Sequence, residues 1–176
     1  MIKKIKTLLL AGALSLGVAG CSSNNISKED DAKKITLVLS VGGVNDESFN
    51  QGAWEGAQKA SKELGVEVKY LESHSDSDYA VNIETAIDQG SDLVVGVGFQ
   101  VGDDIKDFAK AYPNQKFVTI DSTVEEGLDN VRNISFDEEQ AGYLTGLIAS
   151  QMTKTGVIGW IGGLDIPSFA PFSYPV

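Results

Sequence analysis

The chain has 176 residues, with 25 acidic against 14 basic side chains for a formal charge of −11, and 42% of its residues are apolar. That is enough hydrophobic side chain for one core, while the acidic balance argues against nucleic acid or anionic lipid surfaces as partners. A single cysteine excludes an internal disulfide.

Taken in chain order, the first twenty residues are an export signal. Lys3, Lys4 and Lys6 give a positive start, and residues 7–19 form an apolar run. The run is too short for a bilayer, which needs about 20 residues. Ala19 and Gly20 are small residues directly before Cys21, resembling a bacterial lipoprotein cleavage box, so Cys21 is expected to become a lipid-carrying N-terminus. Acyl chains, at about 0.8 kcal/mol per buried methylene, would hold the domain at a membrane, exposed outside the cytoplasm. Removing residues 1–20 leaves 11 basic side chains against 25 acidic ones, a charge of −14. Residues 21–34 are polar and lack apolar periodicity, which predicts a flexible tether.

From residue 35 the pattern alternates between short β-branched runs and amphipathic segments. Residues 35–41 are nearly all apolar, as in a central parallel strand covered on both faces. The spacing of Ala53, Ala57, Ala60 and Leu64 predicts a helix over 50–64, stopped by Gly65. In 66–71, Glu67 and Lys69 alternate with apolar residues, as in a strand near an edge. Tyr79, Ile83, Ala86 and Ile87 mark a second helix, opened by Asp76 or Asp78 and closed at Gly90. A third strand over 93–97 precedes a helix striped by Ile105, Phe108, Ala109 and Tyr112 and ended by Pro113; 116–120 and 131–134 complete the set. The order predicts an α/β fold, a doubly wound parallel sheet with right-handed crossovers and helices on both faces.

Ligands of such sheets sit at the carboxyl ends of the strands. The first loop there, 42–51, carries Asp46, Ser48, Phe49, Asn50 and Gln51: a carboxylate, a hydroxyl, a ring and two carboxamides just before a helix. Asp46 or Ser48 can cap that helix and Phe49 can staple it. Capping needs one oxygen and stapling one apolar side chain, whereas the loop adds two carboxamides, which both donate and accept and could read the edge of a base.

The segment Asp46-Glu47-Ser48-Phe49-Asn50-Gln51-Gly52-Ala53-Trp54-Glu55-Gly56 resembles the signature of the basic membrane protein family. These are lipoproteins similar in fold to type I periplasmic binding proteins, and they serve ABC importers, often for purine nucleosides. Ile161-Gly162-Gly163-Leu164-Asp165-Ile166-Pro167 resembles a second family segment, and the similarity runs from about residue 34 to 167. The resemblance implies that Phe49 stacks on the base, that Asp46 and Asn50 hydrogen-bond its edge, and that Asp121 accepts from ribose hydroxyls. It also implies an ABC permease as partner and no cofactor.

Asp121 has a case of its own. It emerges from the apolar strand Phe117-Val118-Thr119-Ile120, where a carboxylate can take two vicinal hydroxyls at once or cap the following turn. Gly96, Gly98 and Gly102 imitate a dinucleotide fingerprint, but the last glycine falls one position late and the run follows the third strand. Glycines that let a loop approach a small ligand explain it better. Phe99 lines the cleft or packs in the core. His74 is the sole histidine and has no cysteine partner or nucleophile beside it, and no phosphate loop, nucleophile elbow or zinc helix occurs. A receptor, not an enzyme, is expected. A sugar or signal receptor of the same fold and a surface interaction lipoprotein are the alternatives.

Residues 35–136 make the N-terminal lobe in this reading, and 137–176 open a second. Asp137 and Gln140 are placed for a capping box, with Ala141, Leu144, Ile148 and Met152 on a buried stripe and 157–161 as a strand. After Pro167 the family pattern gives way to Ser168-Phe169-Ala170-Pro171-Phe172-Ser173-Tyr174-Pro175-Val176, which predicts a lobe cut short and binding impaired.

Overall fold

In the computed structural model, residues 32–124 and 127–161 are described, all within the unit Asp31–Val176. The signal segment, Cys21 and the stretch from Gly162 onward lie outside them.

Five parallel strands, β1 (Lys34–Val38), β2 (Glu67–Leu71), β3 (Leu93–Val97), β4 (Lys116–Ile120) and β5 (Val131–Ile134), lie in the order β2-β1-β3-β4-β5. The chain moves outward from β1 to β2, then crosses back over β1 to lay down β3. Helix α1 (Phe49–Leu64) therefore covers one face, and α2 (Asp78–Asp88) with α3 (Gly102–Ala111) the other. Alternate side chains of one strand feed two cores. Leu37 and Leu39 face α1 with Val95 and Val97, while Val38 and Val94 face α2 and α3 with Tyr79, Ile83, Ile105 and Phe117.

The doubly wound fold is as expected, and the bounds of β3, β4 and β5 coincide with the periodic runs. Strand β1 stops at Val38, three residues short of the predicted end, because the chain must leave the sheet to build the loop after it. On α1 the buried face is Asn50, Ala53, Trp54 and Ala57. Leu64, expected on that stripe, is exposed beyond the edge of the sheet. Trp54 stands edge-on to Tyr70 of β2, with centroids 4.8 Å apart at 70°, which seats the helix over β1 and β2. Gly65 and Gly90 end their helices with positive φ, 70° and 76°.

Helix α4 (Glu138–Met152) departs from expectation. It buries no residue, and Leu144, Ile148 and Met152 of the predicted stripe are exposed, as are Tyr143 and Leu147. The capping box does not form: Gln140 Nε2 donates to Asp137 Oδ2 at 2.6 Å, and Asp137 makes no side-chain bond to a helix amide. Residues 157–161 are not a strand. A stripe of apolar side chains needs a facing surface, and among the described residues α4 has none.

Candidate ligand-binding site

The carboxyl ends of β1, β3 and β4 bring three loops to one crest, at the switch point where the connections from β1 and β3 part to opposite faces. Ligand chemistry has to be sought here.

The loop after β1 is built almost wholly from side chains bonding main chain. Asn50 is fully buried. Its Oδ1 accepts from the Ser40 amide at 3.2 Å and the Ser40 hydroxyl at 3.1 Å, and its Nδ2 donates to the carbonyls of Ser40 and Gly43 at 3.0 and 3.1 Å. Asp46 takes the amides of Ser48, Asn50 and Gln51 at 2.9–3.0 Å, the first free N–H groups of α1. Burial of that carboxyl opposes ionisation, but the amides of Gln51, Asn50 and Ser48 prevail and hold Asp46 below the ordinary carboxylate range. The Tyr79 hydroxyl accepts from the Val41 amide at 3.3 Å, and Glu72 Oε1 from the Val44 amide at 2.8 Å.

These bonds turn Asn50 from its expected role and choose between the two expected caps. Asn50 turns its amide inward and presents no edge to a guest, and Asp46, not Ser48, secures the start of α1. Ser48 makes no capping bond with its side chain, and Gln51 Nε2 is held by Glu55 Oε1 at 2.9 Å. Phe49 is different. As the first residue of α1 it belongs to neither core cluster and is 45% exposed, so it is not packed as a staple and stands beside an Asp46 and an Asn50 that are already bonded.

The loop after β4 carries Asp121. Glu47 and Asp121, with φ of 51° and 60°, are the only non-glycine residues among those described with positive φ, and both lie on crest loops. Such backbone costs about 1–3 kcal/mol and persists only where the surroundings enforce it. For Asp121 the enforcement comes from β5. Its amide donates to the Ile134 carbonyl at 2.8 Å. The Thr119 hydroxyl lies 2.8 Å from both the Ser122 carbonyl and Asn133 Oδ1, and Asn133 clasps Val124 at its amide and carbonyl, 3.2 and 3.1 Å. Partial burial, and then the charge of Glu138, raise the Asp121 carboxyl above its ordinary range. Among the described residues nothing donates to it.

The glycines between these loops serve packing. A Cβ at Gly96 would sit 3.0 Å from Ile105, one at Gly98 3.1 Å from the Ser40 hydroxyl, and one at Gly102 would overlap Ser122 Oγ. Each small residue thus lets neighbouring chain close in, so the run 96–102 approaches its own fold where a small ligand was expected. Phe99 is partly buried in the 3₁₀ turn Phe99–Val101 that opens onto α3. His74 is exposed, and its amide donates to Asp78. No cluster of metal-ligating side chains occurs among the described residues.

Sequence reasoning missed Glu72, Tyr79 and Asn133 as builders of the crest. The available signals were a carboxylate at the end of β2 and an amide on the inward face of β5.

The family described as Bmp, ABC transporter substrate-binding protein PnrA-like, matches residues 33–175. The chain belongs to this family. Similar relatives include the CD4+ T-cell-stimulating antigen of Listeria innocua serovar 6a, 36% identical over 90% of this chain and 46% of its own length. The ABC transporter nucleoside-binding protein BmpA of Lactococcus lactis subsp. cremoris is 37% identical over 91% and 49%. Basic membrane protein A of Borreliella burgdorferi is 32% identical over 96% and 50%. The chain thus spans about half the length of the relatives it matches. Among solved structures, an ABC transporter solute-binding protein from Aeropyrum pernix K1 superposes with a TM-score of 0.63 at 35% identity, over 67% of this chain and 32% of that one. A 5-methylthioribose transporter solute-binding protein from Thermotoga lettingae, solved with 5-methylthioribose, gives 0.54 at 25%, over 67% and 36%. Relatives from three Pyrococcus species are named lipoproteins. The Bmp family is one of substrate-binding proteins, and this chain carries one lobe of that fold.

Proposed function

We propose that this lobe supplies half of a receptor site for a purine nucleoside, in a lipid-anchored protein that serves an ABC permease from outside the cytoplasm. One observation carries the reading: Phe49 is about half exposed at the crest, beside an Asn50 and an Asp46 that are both bonded to main chain. An aromatic face binds a planar heterocycle by stacking, worth about 0.5–1.5 kcal/mol beyond area burial. Across the crest, Asp121 offers an acceptor with no donor among the described residues, suited to the paired hydroxyls of ribose. Two strand spacings separate β1 from β4, about 10 Å, which is the reach of a base joined to a sugar. Asp46, Ser48 and Asn50 enter the site as the frame that sets Phe49. Binding and release need no activated nucleophile, so no chemistry on the ligand is assigned. The nucleoside-binding name of the Lactococcus relative supports the base, and Cys21 after its export signal supports the anchor.

The test is chemical-shift mapping with guanosine, adenosine and ribose on the mature chain. Nucleosides are expected to move the amides of 48–50 and 121–122 together, and Phe49→Ala to weaken guanosine about tenfold. Ribose matching guanosine, with no effect of Phe49→Ala, would favour a sugar receptor, a reading that the methylthioribose-bound relative keeps in view.

A further inference from the structure

Glu72 lies just beyond β2, on the edge of the sheet, and sends its carboxylate to a loop 28 residues earlier in the chain. Its Oε1 receives the Val44 amide at 2.8 Å. Val44 is itself buried in the core beneath α1, and its bond to Glu72 is partly buried, so losing the acceptor would leave this N–H poorly paired. The same oxygen sits 3.2 Å from where a Cβ would be on Gly43, whose φ is +74°. That approach leaves little room for a side chain on Gly43 beside the carboxylate. Behind it the backbone is fixed: Asn82 Nδ2 of α2 donates to the Glu72 carbonyl at 3.0 Å and approaches the hydroxyl of buried Ser73 at 2.9 Å.

Asp46 bonds amides of the helix start, and Asn50 ties that start to the end of β1. Neither fixes the middle of the loop against the outer strand. Glu72 does so, completing a line of contacts from α2 through the end of β2 to the segment that presents Phe49. We infer that Glu72 is a positioning residue: it sets the stance of the loop from Gly43 to Phe49 through the Val44 amide and does not touch the ligand. The inference rests on the proposed role of Phe49, and it deepens that proposal by adding a residue on a different strand.

The experiment compares the mature chain with Glu72→Ala and Glu72→Gln by amide exchange and guanosine titration. In Glu72→Ala the Val44 amide is expected to exchange about tenfold faster, with amides of β1 and β3 within about twofold of the parent. Glu72→Gln keeps an acceptor oxygen and is expected to restore slow exchange. Guanosine binding should weaken about fivefold in the alanine variant and recover in the glutamine one. An unchanged Val44 amide in Glu72→Ala overturns the inference. So does acceleration spread evenly over β1 and β3, or a glutamine variant as impaired as the alanine one. If guanosine moves no resonance of the parent, the nucleoside reading fails, while the exchange rates still decide whether Glu72 holds the loop.

Discussion

Helices α3 and α4 both carry apolar side chains and meet opposite fates, those of α3 gathered on one face and those of α4 spread more evenly around the helix. In ten residues α3 buries Ile105 and Ala109 almost completely against β3 and β4, with Phe108 packed beside them. In fifteen residues α4 buries nothing and leaves Tyr143, Leu144, Leu147, Ile148 and Met152 in solvent. Periodicity marks a face that needs a partner. Whether the partner is present is a property of the rest of the fold, and most helical stability comes from that packing.

The widest separation between the two regions should appear in core truncation. Phe117→Ala, beneath α3, is expected to cost about 3–5 kcal/mol in urea unfolding, while Leu144→Ala on α4 stays within about 0.5 kcal/mol. Similar losses from both would show that α4 is covered in solution and would break the contrast. Asn50→Ala comes next. It strips partners from the amide and carbonyl of Ser40 and from the Gly43 carbonyl, and a loss of about 2–3 kcal/mol in the same assay is expected. A neutral outcome would place Asn50 outside the frame of the loop.

Asp121→Asn sharpens the comparison within the crest. Because the Asp121 carboxyl is raised in the folded state, the unfolded chain ionises first, and stability falls as pH rises through the ordinary carboxylate range toward the folded value. At neutral pH the charge is therefore a burden. Asparagine also tolerates positive φ, so the variant is expected to melt about 2 °C higher by calorimetry while binding guanosine less well. A lower melting temperature would mean that the carboxylate supports the loop. The smallest effect belongs to Asp46. Its carboxyl is lowered, so its contribution is present above the unfolded value of about 3.9 and lost as pH falls through the folded one. The amides of Ser48, Asn50 and Gln51 should lose protection in that acid window, and Asp46→Asn should abolish the dependence.

The sheet was legible because strand and helix periods differ and because glycines at 65 and 90 mark helix ends. The doubly wound parallel class followed from the alternation of elements and the handedness of crossovers, while the strand order β2-β1-β3-β4-β5 came only with the structure. The crest was legible as a place, though not in the division of labour within it. Asp46 and Asn50 have the donors and acceptors that a nucleobase would require, and the main chain of a tight loop requires the same groups. Composition does not distinguish the two uses; only the direction of the side chain does. Phe49 could be singled out as a ring before a helix, yet its outward stance depends on Asn50 turning inward beside it. Glu72 and Asn133 were invisible because their partners lie 28 and 9 residues away, across strand pairings that no local pattern encodes.

The contact between Gly102 and Ser122 has a consequence for how mutational scans of this lobe are interpreted. A methyl group at 102 would enter the space of Ser122 Oγ, so the side chain beside Asp121 would have to shift. If Asp121 meets the ligand as proposed, substitutions there would change ligand preference without any atom of position 102 touching it. A specificity map drawn from such data would then enrol α3 in the site, when what position 102 contributes is the room in which the Ser122 side chain lies.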